Sequence, residues 1–297
     1  MTSSSEAEGD VRHMDTIKTS IKGAVLVAEI DAPPMNLLGP DLVRNLVSLI
    51  RLAEADDSLN VVVFKSADPD YFISHGDLTR VAEYRAEAAV LTGEASIASL
   101  FHYLSASRLV TIAQIEGRVR GGGSEFVLAC DMRFAARERA VFGQFEPAFG
   151  QIPGGGAAQN LTRLMGRARA LEVLLSADDY DANLAERYGW INRALPADEL
   201  ADFVTTLAHR VGAFPAAGNA TVKDRVNAIS LAPLEDFRRD SDLFAERVQS
   251  AETQRLIGRA MEQGLQTRDA EMNLARILGR LGEEERNQAR PKVGTSS

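Results

Sequence analysis

The sequence has a single cysteine in 297 residues, Cys130, which excludes an intrachain disulfide framework and any thiolate metal cluster. It lies in the apolar stretch FVLAC, so a buried inert thiol in a reducing compartment is expected rather than a nucleophile. The chain also lacks an apolar run near the roughly 18 to 20 residues that cross a bilayer, because polar groups interrupt even 161–175. A soluble chain with no membrane partner is expected. Positive charge is in deficit too. A net charge of −9 and a pI near 5.1 argue against a general hold on nucleic acid, while leaving room for a local basic pocket around one anionic small molecule. The opening MTSSSEAEGD is acidic and serine-rich where an export signal needs basic residues and an apolar core, so a floppy tail over 1–14 and a cytoplasmic location are expected.

Several local signatures are also missing. In G-x-G-x-x-G the third glycine would fall at Phe126 for the cluster at 121–123 and at Gln159 for that at 154–156, and no G-K-[ST] completes a P-loop. The order G-G-S-E-F around Ser124 lacks the closing glycine of a serine-hydrolase elbow. His13, His75, His102 and His209 have no metal-ligand spacing, so no metal is expected.

What is present is alternation. Residues 21–30 predict one strand, ended by Asp31-Ala32-Pro33-Pro34. Leu42, Leu46, Leu49, Ile50 and Ala53 recur at helical spacing after Pro40, and Val61-Val62-Val63-Phe64 is an apolar run of strand length. A long helix over about 78–104 precedes a buried strand at 109–115, a glycine turn at 121–123, a helix from Ser124 and strands at 132–136 and near 190–194. Strands alternating with helices predict an α/β fold with a largely parallel sheet. Beyond Pro215 the periodicity is helical only, near 216–229, 233–261 and 267–281, before a solvated tail.

A chemical possibility that needs no metal sits around Glu125. A strand feeding three glycines and then a helix presents unpaired N–H groups at the positive end of the helix dipole, and glycines let a ligand approach closely. Glu125, in the first turn, could act on a substrate whose carbonyl oxygen rests on those N–H groups. A plain helix start with a dipole-matched glutamate is the competing reading.

Three segments resemble those of the crotonase (enoyl-CoA hydratase/isomerase) superfamily and stand in its order. They are YFISHGDL at 71–78, EGRVRGGGSEFVLACDMRFA at 116–135 and FGQFEPAFGQIPGGGAAQNL at 142–161, with weaker similarity over roughly 20–212. The resemblance implies a crotonase-like ββα spiral over 15–212, a helical trimerisation region over 213–285 and a tail over 286–297. It implies an acyl-CoA thioester substrate, coenzyme A being part of the substrate rather than a cofactor, and a homotrimer or dimer of trimers. It places Ser74 and Gly122 as backbone N–H donors of an oxyanion hole and Glu125 and Glu146 as the two catalytic carboxylates, with His75, Gly76, Asp77, Gly121 and Gly123 as further substrate contacts. Both glutamates together imply addition of water to a trans-2-enoyl-CoA, Glu125 taking a proton from the water and Glu146 supplying one to the α-carbon. An isomerase, an acyl-CoA hydrolase and a non-catalytic assembly subunit are the alternatives.

The segments also depart from the family pattern. His75 and Gly76 replace Gly-Ala, Phe145 replaces proline before Glu146, and Arg118 and Arg120 enter a loop that is normally less charged. His75 is expected either on an exposed loop or as a polar ligand in the acyl pocket. Arg120 is expected to be solvated or ion-paired. Leu256, Ile257, Met261, Leu265, Leu274, Ile277 and Leu278 are expected to pack against neighbouring subunits.

Overall fold

The computed structural model describes residues 14–289. The described residues open on a hairpin, β1 (Ile17–Lys22) and β2 (Val25–Ile30), turned at Gly23, which takes φ 59°. The single strand expected over 21–30 is therefore two. Helix α1 (Pro40–Ala55) has proline in its first turn and buries the apolar stripe read from the sequence. Its carbonyl end is capped by Arg108, which donates to Ala53, Glu54 and Asp56 carbonyls at 2.8–3.3 Å.

From β3 (Val61–Ser66) onward each pass through the sheet has two parts. Strands β3, β5 (Val110–Ile115), β7 (Met132–Ala136) and β10 (Arg193–Leu195) join β2 in parallel, giving a six-stranded sheet ordered β1-β2-β3-β5-β7-β10. Short strands β4 (Tyr71–Ile73), β6 (Arg118–Arg120) and β8 (Val141–Gly143) follow β3, β5 and β7 directly and build a second, four-stranded sheet with β9 (Asp179–Asp181). Each turn of the chain thus lays one strand in each sheet before a helix returns it, the ββα spiral of the crotonase fold.

The expected helix over 78–104 is two, α2 (Val81–Thr92) and α3 (Ile97–Ala106). Gly93 ends the first in a left-handed conformation at φ 76°. Helix α4 (Gly122–Ala129) begins at Gly122, two residues earlier than read. Its Phe126 packs among Phe64, Phe72 and Phe101 with ring centroids 5.0–6.4 Å apart. Buried Arg133 donates to the Val127 and Cys130 carbonyls and to Trp190, capping the other end of α4. Helices α5 (Ala157–Met165), α6 (Arg167–Ser176) and α7 (Ala182–Tyr188) complete the third turn, and α8 (Ala197–Gly212) lays Leu200, Val204 and Ala208 on the outer face of the large sheet.

Among the described residues only helices follow: α9 (Ala216–Ser230), α10 (Leu234–Val248), α11 (Ala251–Glu262), α12 (Arg268–Glu271) and α13 (Leu274–Ala289). The stretch 233–261 is broken where Ser250 caps α11, and α13 runs past 286, where a tail was expected. Leu256, Ile257, Leu265, Leu274, Ile277 and Leu278 are buried within this same chain, in a cluster with Phe145 and Phe149, and Met261 packs on it. They cover the chain's own core instead of waiting for a neighbour. Among the described residues no helix is long and apolar enough to cross a membrane.

Candidate active site

The second sheet sets the site. Strand β6 feeds Gly121, whose φ of 45° turns the chain, and Gly122 opens α4 with Glu125 in its first turn. The first N–H groups of a helix have no partner inside it, so that of Gly122 is available to a ligand. Opposite lies the loop leaving β4. Leu38 donates to the His75 carbonyl at 2.8 Å and accepts from the Asp77 N–H at 3.2 Å, which leaves the Gly76 N–H outside this bridge. A Cβ built on Gly122 would stand 3.5 Å from the Gly76 nitrogen, and both glycines line one cavity with Glu125 and Glu146.

This geometry moves one assignment. Ser74 is fully buried, its carbonyl accepts from Arg120, and it does not line the cavity. Gly76, not Ser74, lines the cavity with Gly122. Gly121 and Gly123 serve packing: a Cβ on the first would come 3.0 Å from Glu146 Oε1, and on the second 2.1 Å from the Ile73 carbonyl oxygen. Asp77 turns away from the cavity to accept from the Thr79 N–H and hydroxyl at 2.9 and 2.6 Å.

Both glutamates are buried. Glu125 Oε1 accepts from the Gly155 and Ala157 N–H groups, at 2.6 and 3.1 Å, at the start of α5. Burial raises the Glu125 carboxyl above the ordinary range, opposed by these hydrogen bonds. Glu146 opens a 3₁₀ turn, Glu146–Phe149, and is raised first by burial and then by the neighbouring charge of Glu125. Gln144, with its amide nitrogen toward the carboxylate, donates to both Glu146 oxygens at 3.2 and 3.1 Å. Each glycine at 154–156 admits a neighbour: Cβ atoms there would fall 2.6 Å from Phe244, 2.6 Å from Glu125 Oε2 and 2.3 Å from Phe237.

His75 occupies neither expected place. It is fully buried, outside the cavity lining, with Nε2 2.9 Å from Glu271 Oε1 and Nδ1 2.7 Å from the Gly76 carbonyl. Arg120 is ion-paired, as expected, and buried: its Nε and Nη2 donate to the two Asp179 oxygens at 2.7 and 2.8 Å. Arg118 lies 5.9 Å over the Tyr71 ring. Cys130 is buried, its thiol pushed up to about 12 by burial, which makes it inert. His102 is half-buried against the Ala232 carbonyl, while His13 lies outside the described residues.

Sequence reasoning missed Gln144, Tyr84, Arg85 and Phe244. Gln144 was findable, two residues before Glu146 in the same motif. Phe244 was not, because α10 reaches the cavity from about a hundred residues downstream.

Two glycines and two buried carboxylates thus share one cavity on a crotonase spiral. The chain belongs to the enoyl-CoA hydratase/isomerase family, whose model matches residues 20–270. It is similar to a Streptomyces avermitilis crystal structure grouped with the enoyl-CoA hydratases, at 48% identity and TM-score 0.89, covering 91% of this chain and 99% of that one. A relative named as an enoyl-CoA hydratase in Rhizobium meliloti is 28% identical over 232 residues, 77% of this chain and 88% of its own. Another, from Mycobacterium tuberculosis, is 30% identical over 193 residues, 65% and 73% of the two chains.

Proposed function

We propose that this enzyme adds water to a 2-enoyl-CoA thioester. The observation that carries the reading is the pair of buried glutamates sharing one cavity with the Gly76 and Gly122 N–H groups. The thioester oxygen rests on those N–H groups, one such donor being worth about 3 to 4 kcal/mol in the transition state. Water attacks the β-carbon and gives its proton to Glu125. The double-bond electrons move to the thioester oxygen as an enolate, and the α-carbon then takes a proton from Glu146. Hydrogen bonds from two N–H groups favour an ionised Glu125, while the charge of Glu125 favours a protonated Glu146, so the environments divide the roles of base and acid. Passage of the proton from Glu125 back to Glu146 resets the site.

The substrate contacts follow the geometry. Gly76 and Gly122 hold the thioester, Tyr84, Phe145 and Phe244 wall the cavity, and Gly121, Gly123, His75 and Asp77 act from behind it. The assembly belongs to the same reading: the 15–212 spiral carries the site, and the chain associates in threes through its helical region. Unsaturated and saturated acyl-CoA thioesters incubated with the protein, with products resolved by mass, test the reaction. Gain of water supports it, whereas a double-bond shift or release of free coenzyme A selects the isomerase or the hydrolase.

A further inference from the structure

Residues 265–271 of the helical region lie against the loop that carries Gly76. Gln266 accepts from the Leu78 N–H at 2.8 Å and donates to Asp77 at 3.2 Å. Arg268 pairs with Asp68 and Asp70 and sits 4.9 Å over the Tyr71 ring. The deepest contact is Glu271, fully buried between His75 and Arg120. His75 Nε2 is 2.9 Å from its Oε1, and Arg120 Nη1 is 3.7 Å from its Oε2 while donating to its carbonyl at 3.0 Å. A buried carboxylate persists only when paired in this way.

His75 uses both ring nitrogens. Nδ1 faces the Gly76 carbonyl, which only accepts, so Nδ1 holds a proton. Nε2 faces Glu271, which also accepts from the Gln266 N–H at 3.1 Å. Burial alone would raise the Glu271 carboxyl, but His75, the Gln266 bond and Arg120 outweigh it and hold it below the usual range. Through Nδ1 and Nε2 the one ring ties the Gly76 carbonyl to Glu271.

These bonds fix Gly76 from both sides. Leu38 holds the His75 carbonyl, and the planarity of that peptide sends the Gly76 N–H the opposite way. The following peptide has its carbonyl held by His75 Nδ1 and its N–H by the Leu38 carbonyl. A glycine, otherwise the freest residue in the chain, is clamped on two successive peptides.

We propose that His75, anchored by Glu271, is the positioning residue of the oxyanion hole, so that the C-terminal helical region sets the orientation of the Gly76 N–H. The proposal rests on Gly76 and Gly122 being the oxyanion donors. Such donors act by being oriented before reaction, and a misplacement near 1 Å is costly.

Cinnamoyl-coenzyme A, whose absorbance band moves to the red when its thioester carbonyl is polarised, reports the hole directly. Steady-state kinetics on a short 2-enoyl-CoA report the reaction. In His75→Gln the amide nitrogen takes the place of Nε2 and keeps the Glu271 contact but releases the Gly76 carbonyl. In His75→Asn it takes the place of Nδ1 and keeps the Gly76 bond. The glutamine variant is expected to lose most of the red shift and roughly 10- to 100-fold in kcat, with KM within about threefold. The asparagine variant should retain the larger share of both, and Glu271→Leu should resemble the glutamine variant. Thermal unfolding identifies the folded variants, and the two polar replacements suffice if Glu271→Leu does not fold. A full red shift in folded His75→Gln, with or without a kcat loss, would overturn the proposal. A wild type that binds the probe with no shift would overturn the oxyanion reading along with it.

Discussion

At the scale of residues, burial does the chemical tuning. Glu125 and Glu146 are both raised above the ordinary carboxylate range, so the folded chain holds their protons more tightly than the unfolded chain. For a carboxyl raised in the folded state, the stability it contributes is full below its unfolded value and is lost as pH rises through the folded one. Glu146→Gln removes that loss. Thermal unfolding should therefore show the variant gaining Tm over wild type at alkaline pH, with the difference shrinking on acidification. A constant difference across pH would contradict the burial argument. That Glu125, Glu146 and Gly122 share one cavity was legible in the motifs because each sits in a fixed local frame of turn and helix start. That Gly76 and not Ser74 lines the cavity opposite was not legible, because that loop is bridged to Leu38, 38 residues before Gly76 in the chain. His75 was misread for the same reason, since Glu271 lies 196 residues away.

At the scale of elements, close approach explains the glycines. The Cβ of Gly123→Ala would press into the Ile73 carbonyl, a backbone group that cannot swing aside, so β4 and its following loop must shift against α4. A cost of about 1 to 3 kcal/mol is expected, together with lost turnover, because the same loop carries Gly76. Gly258→Ala, inside α11 with nothing within 4 Å of the new methyl, should be stabilising by up to about 1 kcal/mol. Denaturant unfolding of the two variants checks this, and equal effects would refute it. The α/β alternation and α1 were legible because their periodicity runs over many residues. The three-residue strands β4, β6, β8 and β9 are too short for a period to register, and the second sheet, which positions the site, escaped notice. The hairpin was missed because only Gly23 and Ala24 separate two strands of similar composition.

At the scale of the whole molecule, the helical region has two faces of different character. One covers Phe145 and Phe149 and supplies Phe244, Gln266 and Glu271 around the site, so it completes the chain's own cavity. The other is α9, which buries only Lys223, paired with Asp131 and the Leu109 carbonyl, and leaves Val222, Val226 and Ile229 65%, 55% and 85% exposed. An apolar row of this kind fits a subunit contact. Light scattering should give a trimer or a multiple of three, and Val226→Glu with Ile229→Glu should shift it toward monomer; a wild type that is monomeric at micromolar concentration would refute the assembly. The central claim is that two buried carboxylates add water to a thioester held on Gly76 and Gly122. Its most direct test is the rate of hydration of a short trans-2-enoyl-CoA by wild type, Glu125→Gln and Glu146→Gln, alongside thioester binding. The account predicts water addition by the wild type, with binding kept and turnover lowered by roughly two to four orders of magnitude in each variant. Wild-type protein that binds the thioester without adding water, or either variant turning over at the wild-type rate, would contradict it.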